Sequence, residues 1–178
     1  IAGAMRREEA LPDLHWLDAL MGSKLLIRGN HDYWWSSIGK VRSNLPASIY
    51  ALQNDYFEWG EYVICGTRGW NCPGDQGFDN EEDQKIYLRE VQRLQLSLES
   101  GKRTGGERII AALHFPPFNR KNEPSAFTSL LEEYGVEICI FGHIHDQGRD
   151  YIFQGQRNGV CYKFVAADGL DFKPLRLV

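Results

Sequence analysis

Val136-Glu137-Ile138-Cys139-Ile140-Phe141-Gly142-His143-Ile144-His145 decides how this chain is read. Its first six residues, rich in β-branched and aromatic side chains, form a buried-strand pattern. Gly142 ends the run, and two histidines one residue apart follow. In an extended backbone, positions i and i+2 face the same side, so both imidazoles are expected to approach one site. Gly142 is read as the point where a ligand or metal comes close to the backbone. Two imidazoles just beyond the carboxyl edge of a strand make a metal-ligand arrangement, where α/β sheets tend to bind ligands.

Two further strand patterns end in the same way. Arg108-Ile109-Ile110-Ala111-Ala112-Leu113 delivers His114, and Pro116 and Pro117 stiffen the exit. Lys24-Leu25-Leu26-Ile27-Arg28 delivers Gly29-Asn30-His31-Asp32. Histidine is scarce, five in 178 residues, and His15 is the only one outside these three segments. Asn30 offers a neutral carbonyl oxygen that can ligate a divalent cation without adding charge. His31 projects differently and suits acid or transition-state work better than ligation. Asp32 is expected to cap or brace the turn.

Working outward, residues 6–21 read as a helix with Ala10, Leu14, Leu17 and Met21 on its apolar side, stopped by Gly22. A second helix covers about 35–44. From Ser48 to Cys65 the pattern is β-like, with a hairpin at Gly60-Glu61. Residues 66–80, rich in Gly, Asn and Asp, form a long excursion of the kind that carries function or disorder. The strongest helix is 80–99, with Asp79 and Glu82 in a capping-box pattern and an apolar stripe of Tyr87, Val91, Leu94 and Leu98. Residues 124–134 make a short helix, with Pro124 at its start. Tyr151-Ile152-Phe153 and residues 160–165 read as strands flanking the hairpin signal Arg157-Asn158-Gly159. Alternating apolar strands and helices, then hairpins, indicate an α/β core with mixed sheets in a single domain, 1–178.

A net charge of −4 and a pI near 5.7 leave no basic footprint of the kind nucleic-acid binding requires. A phosphorylated small-molecule substrate stays compatible, because bound cations supply positive charge that a residue count omits. Cys139 and Cys161 sit inside apolar runs as small buried hydrophobes. Cys65 and Cys72 could meet across a loop, but their spacing matches no zinc pattern. Reduced thiols, no leader and no apolar run long enough to span a bilayer point to the cytoplasm and away from membranes. The start at Ile1 rather than Met reads as a fragment or a processed product.

Taken together, Gly29-Asn30-His31-Asp32, His114 after its strand, and Gly142-His143-Ile144-His145 resemble the later motifs of the calcineurin-like metallophosphoesterase family. Arg28 to Trp35 and Gly66-Thr67-Arg68-Gly69-Trp70 are similar to its bacterial predicted-phosphohydrolase branch. The resemblance implies a metallophosphoesterase-type α/β/β/α sandwich and hydrolysis of a phosphomonoester or phosphodiester at a dinuclear centre of Mn, Fe, Zn or Ni. By the same resemblance Asn30, His114 and His143 hold one metal and His145 helps hold the other. His31 stabilises the transition state or protonates the leaving oxygen, and hydroxide attacks phosphorus in line.

The family's earlier Asp-x-His and Gly-Asp are absent, so the resemblance implies a chain lacking the first strands. Such a chain would be impaired, with one metal or none, and its uncovered sheet edge would invite self-association. Asp13-Leu14-His15 does not replace the missing motif, because residues two apart on a helix point to opposite sides. Asp75, Asp79 and Asp83 are assigned to loop and cap roles. Trp34, Trp35 and Trp70 are candidate walls of a substrate site, with core packing the alternative for the first two. Asp146 and Arg149 either bind substrate or close the turn. Two other functions remain open: a non-catalytic binding module on the same scaffold, and a mononuclear zinc hydrolase using His114, His143, His145 and Asn30.

Overall fold

The computed structural model describes residues 3–178, apart from the side chains of Asp146 and Gln147. Its strands are β1 (Lys24–Ile27), β2 (Ile49–Leu52), β3 (Tyr56–Trp59), β4 (Tyr62–Thr67), β5 (Arg108–Leu113), β6 (Val136–Phe141), β7 (Gly155–Arg157) and β8 (Val160–Phe164). Its α-helices are α1 (Arg7–Ala19), α2 (Ile38–Arg42), α3 (Glu82–Lys102) and α4 (Ala126–Glu133). β1 and β2 pair in parallel as a small sheet, while the other six run in the order β3-β4-β5-β6-β8-β7. Within the larger sheet β4, β5, β6 and β8 are parallel, and the edge strands β3 and β7 are antiparallel to their neighbours.

The period-2 alternation of the central strands divides the interior into two layers. Val63, Cys65, Ile109, Ala111, Cys139 and Phe141 point to one face, where Tyr87, Leu94 and Leu98 of α3 and Phe127 and Leu131 of α4 cover them. Tyr62, Ile110 and Ile138 point to the other. That second face looks across an apolar cleft of about 650 Å³, lined also by Leu25 and Ile27 of β1. Behind the small sheet, Ala10 and Leu14 of α1 pack with Trp34, Trp35, Val41 and Ile49. The result is a layered α/β sandwich of the type the resemblance implies, with one mixed six-stranded sheet and a small parallel one.

Several local expectations shift. Met21 is fully exposed beyond the end of α1 and takes no part in its apolar side. The second helix is only five residues long, Ile38–Arg42. The N-cap of α3 is Glu81, with no side-chain cap; Asp79 braces the turn before it, its Oδ1 accepting from the Glu81 and Glu82 amides while its own amide donates to Asp83 Oδ2 and not to Glu82. Ser125, not Pro124, caps α4, in a capping box with Thr128. Tyr151-Ile152-Phe153 is not a strand: Tyr151 ends a 3₁₀ turn (Asp146–Tyr151), and Ile152 and Phe153 pack on the core without a ladder partner. The hairpin arm is instead β7, closed by Asn158 and Gly159 with φ of 48° and 86°, the two-residue left-handed turn that matches strand twist.

All four cysteines are free. Burial pushes the Cys65 thiol up to about 11 and that of Cys72 to about 12, so both stay protonated. Cys161 is only half-buried. No α-helix among the described residues is long and apolar enough to cross a membrane.

Candidate metal centre

Three chain segments converge at the carboxyl ends of β1, β5 and β6. His114 Nε2 lies 2.8 Å from Asn30 Oδ1 and 3.1 Å from His143 Nδ1. Residues separated by 84 and 29 positions in sequence thus bring an amide oxygen and a second imidazole nitrogen to His114 Nε2. Donor atoms about 3 Å apart match neighbouring ligands of an ion whose bonds are roughly 2.1 Å long.

The segments reach that point for separate reasons. After β1 the chain turns sharply, and Asp32 braces the turn: its Oδ2 accepts from the Gly29 amide at 2.7 Å and its Oδ1 from Trp34 Nε1 at 3.1 Å. Gly29 is a crowded position, since a Cβ there would lie 3.2 Å from both Asp32 Oδ2 and His114 Cε1, and those side chains would have to give by a few tenths of an ångström. Gly142, the glycine singled out in sequence, is under no such pressure; a Cβ would meet only Ala166 backbone at 3.8 Å.

His114 is anchored from behind. The Arg68 carbonyl accepts from the amides of both His114 and Phe115. Arg68 in turn bonds to Glu90, a wholly buried carboxylate that also accepts from Thr67 Oγ1 at 2.6 Å and Arg93 at 2.7 Å. Sequence reading missed this network, because Glu90 falls on the buried stripe of α3, where a carboxylate is not expected without partners.

His143 and His145 do not lie on an extended strand and do not share a side. β6 ends at Phe141, and His143 takes φ of 72° while the Ile144 amide bonds to the Gly142 carbonyl at 2.9 Å. This is a γ-turn centred on a non-glycine residue, a strained geometry that costs on the order of 1–3 kcal/mol. It sends the two imidazoles to different partners. His143 faces His114 and packs against Phe115 at a tilt of 37°, ring centroids 3.9 Å apart. His145 is exposed, and its Nδ1 lies 2.9 Å from Asp168 Oδ1. Arg149 bonds to the Asp168 carbonyl at 3.1 Å, so it closes the turn around that carboxylate. Asp168 carried no signal in the sequence; it lies after β8, with neither a motif nor a nearby histidine. The side chain of Asp146 lies outside the described residues.

Burial, and then the neighbouring imidazole, pushes His114 down to about 4. Burial, then His145 and His31, does the same to His143, also about 4. Both rings are therefore neutral near pH 7, with lone pairs available to a cation. His31 is exposed, with its Nδ1 3.3 Å from the Tyr33 hydroxyl. Trp34 and Trp35 are buried in the core behind the small sheet, the packing alternative of the two weighed for them. Trp70 stands behind the centre, packed on Phe115 and bonded to Asp83. Asp13 and His15 lie exposed on either side of buried Leu14.

Two neutral imidazoles and an amide oxygen fit one divalent cation as a partial shell. They do not complete a pair of metals: among the described residues no group of three or more His, Cys, Asp or Glu side chains is placed to hold an ion.

Fold and site together define a layered α/β protein with an imidazole- and amide-lined centre at its strand ends. The family model of the calcineurin-like phosphoesterases matches residues 8–147, which include all three motifs, and the chain belongs to that family. Membership implies phosphoester hydrolysis as the class of chemistry, phosphorylated substrates and divalent metal ions. Comparison with curated protein sequences gave no match.

Proposed function

We propose that this chain carries the metal-binding half of a phosphoesterase centre, with Asn30 Oδ1, His114 Nε2 and His143 Nδ1 as ligands of one divalent cation. The observation that supports this most directly is the 2.8 and 3.1 Å convergence of donors from three separate strand ends. A bound cation polarises a phosphoryl oxygen and stabilises the charge that grows on it. The chain's own residues do the rest. Asn30 contributes an oxygen without charge, so the centre keeps its affinity for an anionic ester. His31, exposed beside Asn30 with Tyr33 on one ring nitrogen, delivers a proton to the leaving oxygen. His145 would help hold a second cation only where further ligands are supplied, its ring oriented by Asp168 as outer-shell carboxylates orient ligand histidines.

Titration of the purified chain with Mn²⁺ and with Zn²⁺ tests the first step. One cation should bind near neutral pH, and His114→Ala should abolish that binding. Equal affinity in the wild type and the variant would refute the ligand set.

One observation favours a second reading, a binding module without turnover. No carboxylate oxygen among the described residues joins the three donors, and both Asp32 oxygens are committed to the turn. Metal-dependent hydrolysis of a generic aryl phosphodiester by the longest natural form of the gene product separates the two: turnover eliminates the binding module, and its absence with metal bound eliminates the esterase.

A further inference from the structure

We infer that the cation site latches two layers of the fold: an ion held by Asn30, His114 and His143 closes the small layer (residues 3–52) onto the large sheet, about a hinge at Asn54. Metal occupancy and layer closure are then one coupled equilibrium. The inference rests on the ligand set proposed above and adds a conformational role to it.

The donors come from both sides of a division in the molecule. Asn30 follows β1 of the small sheet, whereas His114 and His143 follow β5 and β6 of the large one. Each side has its own buried core: Leu14, Trp34, Trp35 and Val41 in the small layer, and Leu94, Leu98, Phe127 and Leu131 behind the large sheet. Among the described residues no strand pairing joins the two sheets. Between them lies the cleft of about 650 Å³, with Leu25 and Ile27 on one side and Ile64, Ile110, Ala112 and Ile140 on the other. Leu25, Ile27, Ile64 and Ile140 are only half-buried there. Apolar side chains that face each other across a gap forfeit much of the dispersion contact that would hold two layers together.

The chain crosses from one layer to the other at Gln53-Asn54-Asp55, between β2 and β3. The outer two residues are anchored. On the small-layer side Trp35 Nε1 donates to Gln53 Oε1 at 3.0 Å, and on the large-sheet side Ser97 Oγ donates to the Asp55 carbonyl. Asp55 Oδ1 also accepts from the Gln53 amide at 3.0 Å, which keeps the crossing compact. Asn54 stands between them at φ of 62°, and its buried Oδ1 has no hydrogen-bond partner among the described residues. One residue between two anchored neighbours is where a hinge absorbs rotation. Beside the crossing Tyr50 rests on Phe57, ring centroids 4.8 Å apart. At the metal centre the layers meet through the Asn30–His114 hydrogen bond. An ion bonded to donors of both layers strengthens that contact, and opening the layers must break its shell.

Amide hydrogen exchange of the purified chain, metal-free and with Zn²⁺, reads the latch. Without metal, β1 and β2 should exchange roughly tenfold or more faster than β5 and β6, because the small layer opens without global unfolding. With free Zn²⁺ about a hundredfold above its Kd, β1 and β2 should slow by about a hundredfold, since opening releases the ion. The edge strand β7, which opens without disturbing the centre, should be unchanged. Asn30→Ala removes the small layer's donor. Its metal-free β1 and β2 should exchange about fivefold faster than in the wild type, the worth of one neutral hydrogen bond, and Zn²⁺ should no longer slow them. The wild-type comparison keeps the test valid if that variant folds poorly. Equal metal-free exchange in all four strands, or slowing by Zn²⁺ that persists in Asn30→Ala, would overturn the inference. Zn²⁺ bound by calorimetry with β1 and β2 unslowed would overturn it while leaving the ligand set intact. No Zn²⁺ binding by the wild type would overturn the ligand set and the latch with it.

Discussion

His143 and His145 are two residues apart and belong to different environments. His143 is half-buried, faces another imidazole, and is pushed down to about 4. His145 has 64% of its side chain exposed and faces a carboxylate. The divergence comes from one turn: with φ positive at His143, the backbone is no longer a strand, and alternate positions no longer share a side. The inner histidine is held by a buried frame that runs through His114, Arg68 and Glu90. The outer one is held by an exposed pair. The same residue type thus acquires rigidity at one position and freedom to adapt at the other.

The comparison breaks hardest at Glu90. Its side chain is fully buried, and Arg68 beside it is only 15% exposed. Glu90→Ala leaves that guanidinium buried and uncompensated, which should cost on the order of 3–5 kcal/mol in urea denaturation. A loss below about 1 kcal/mol, the worth of an exposed pair, would show that the buried frame is not what holds His114.

Acid sharpens the contrast. In the unfolded chain His114 and His143 take up protons below about pH 6.5, whereas in the folded protein they resist until about 4. The unfolded state therefore binds more protons across that window, so stability rises with pH through it. The contribution is complete above about 6.5 and lost as pH falls toward 4. Denaturation of the metal-free protein at a series of pH values should follow this trend. Its acid-side loss should shrink in a His114→Gln variant, which removes one of the two titrating rings.

The smallest effect is expected at the outer histidine. Asp168→Ala removes the partner of an exposed ring and should change stability by less than about 1 kcal/mol. It should nonetheless alter the His145 tautomer, read from ¹⁵N shifts of the imidazole, because the carboxylate that favours an Nδ1 proton is gone. An unchanged tautomer would mean that Asp168 does not orient the ring.

Much of this arrangement was legible in the chain. β5 and β6 coincide with their apolar runs because a strand buried on both faces must be continuously apolar. His114 and His143 each follow such a strand, and Asn30 follows the half-buried β1. Other features depended on partners distant in sequence. Tyr151-Ile152-Phe153 carries β-type side chains, yet its backbone finds no neighbour to pair with, and so it packs as irregular chain. Trp34 and Trp35 sit in a motif-bearing segment but turn into the layer beneath it. Glu90 looks out of place on a buried stripe until Thr67, Arg68 and Arg93 are seen around it.

What the sequence by itself determined was the layered α/β class and the residues at three strand ends, because periodicity and strand termination are local properties of the chain. The tertiary structure alone decided that Asn30, His114 and His143 meet, that His145 turns aside to Asp168, and that a side chain would be crowded at Gly29 and not at Gly142. Those outcomes depend on distances between segments tens of residues apart and on one left-handed φ, and neither is encoded in any single stretch.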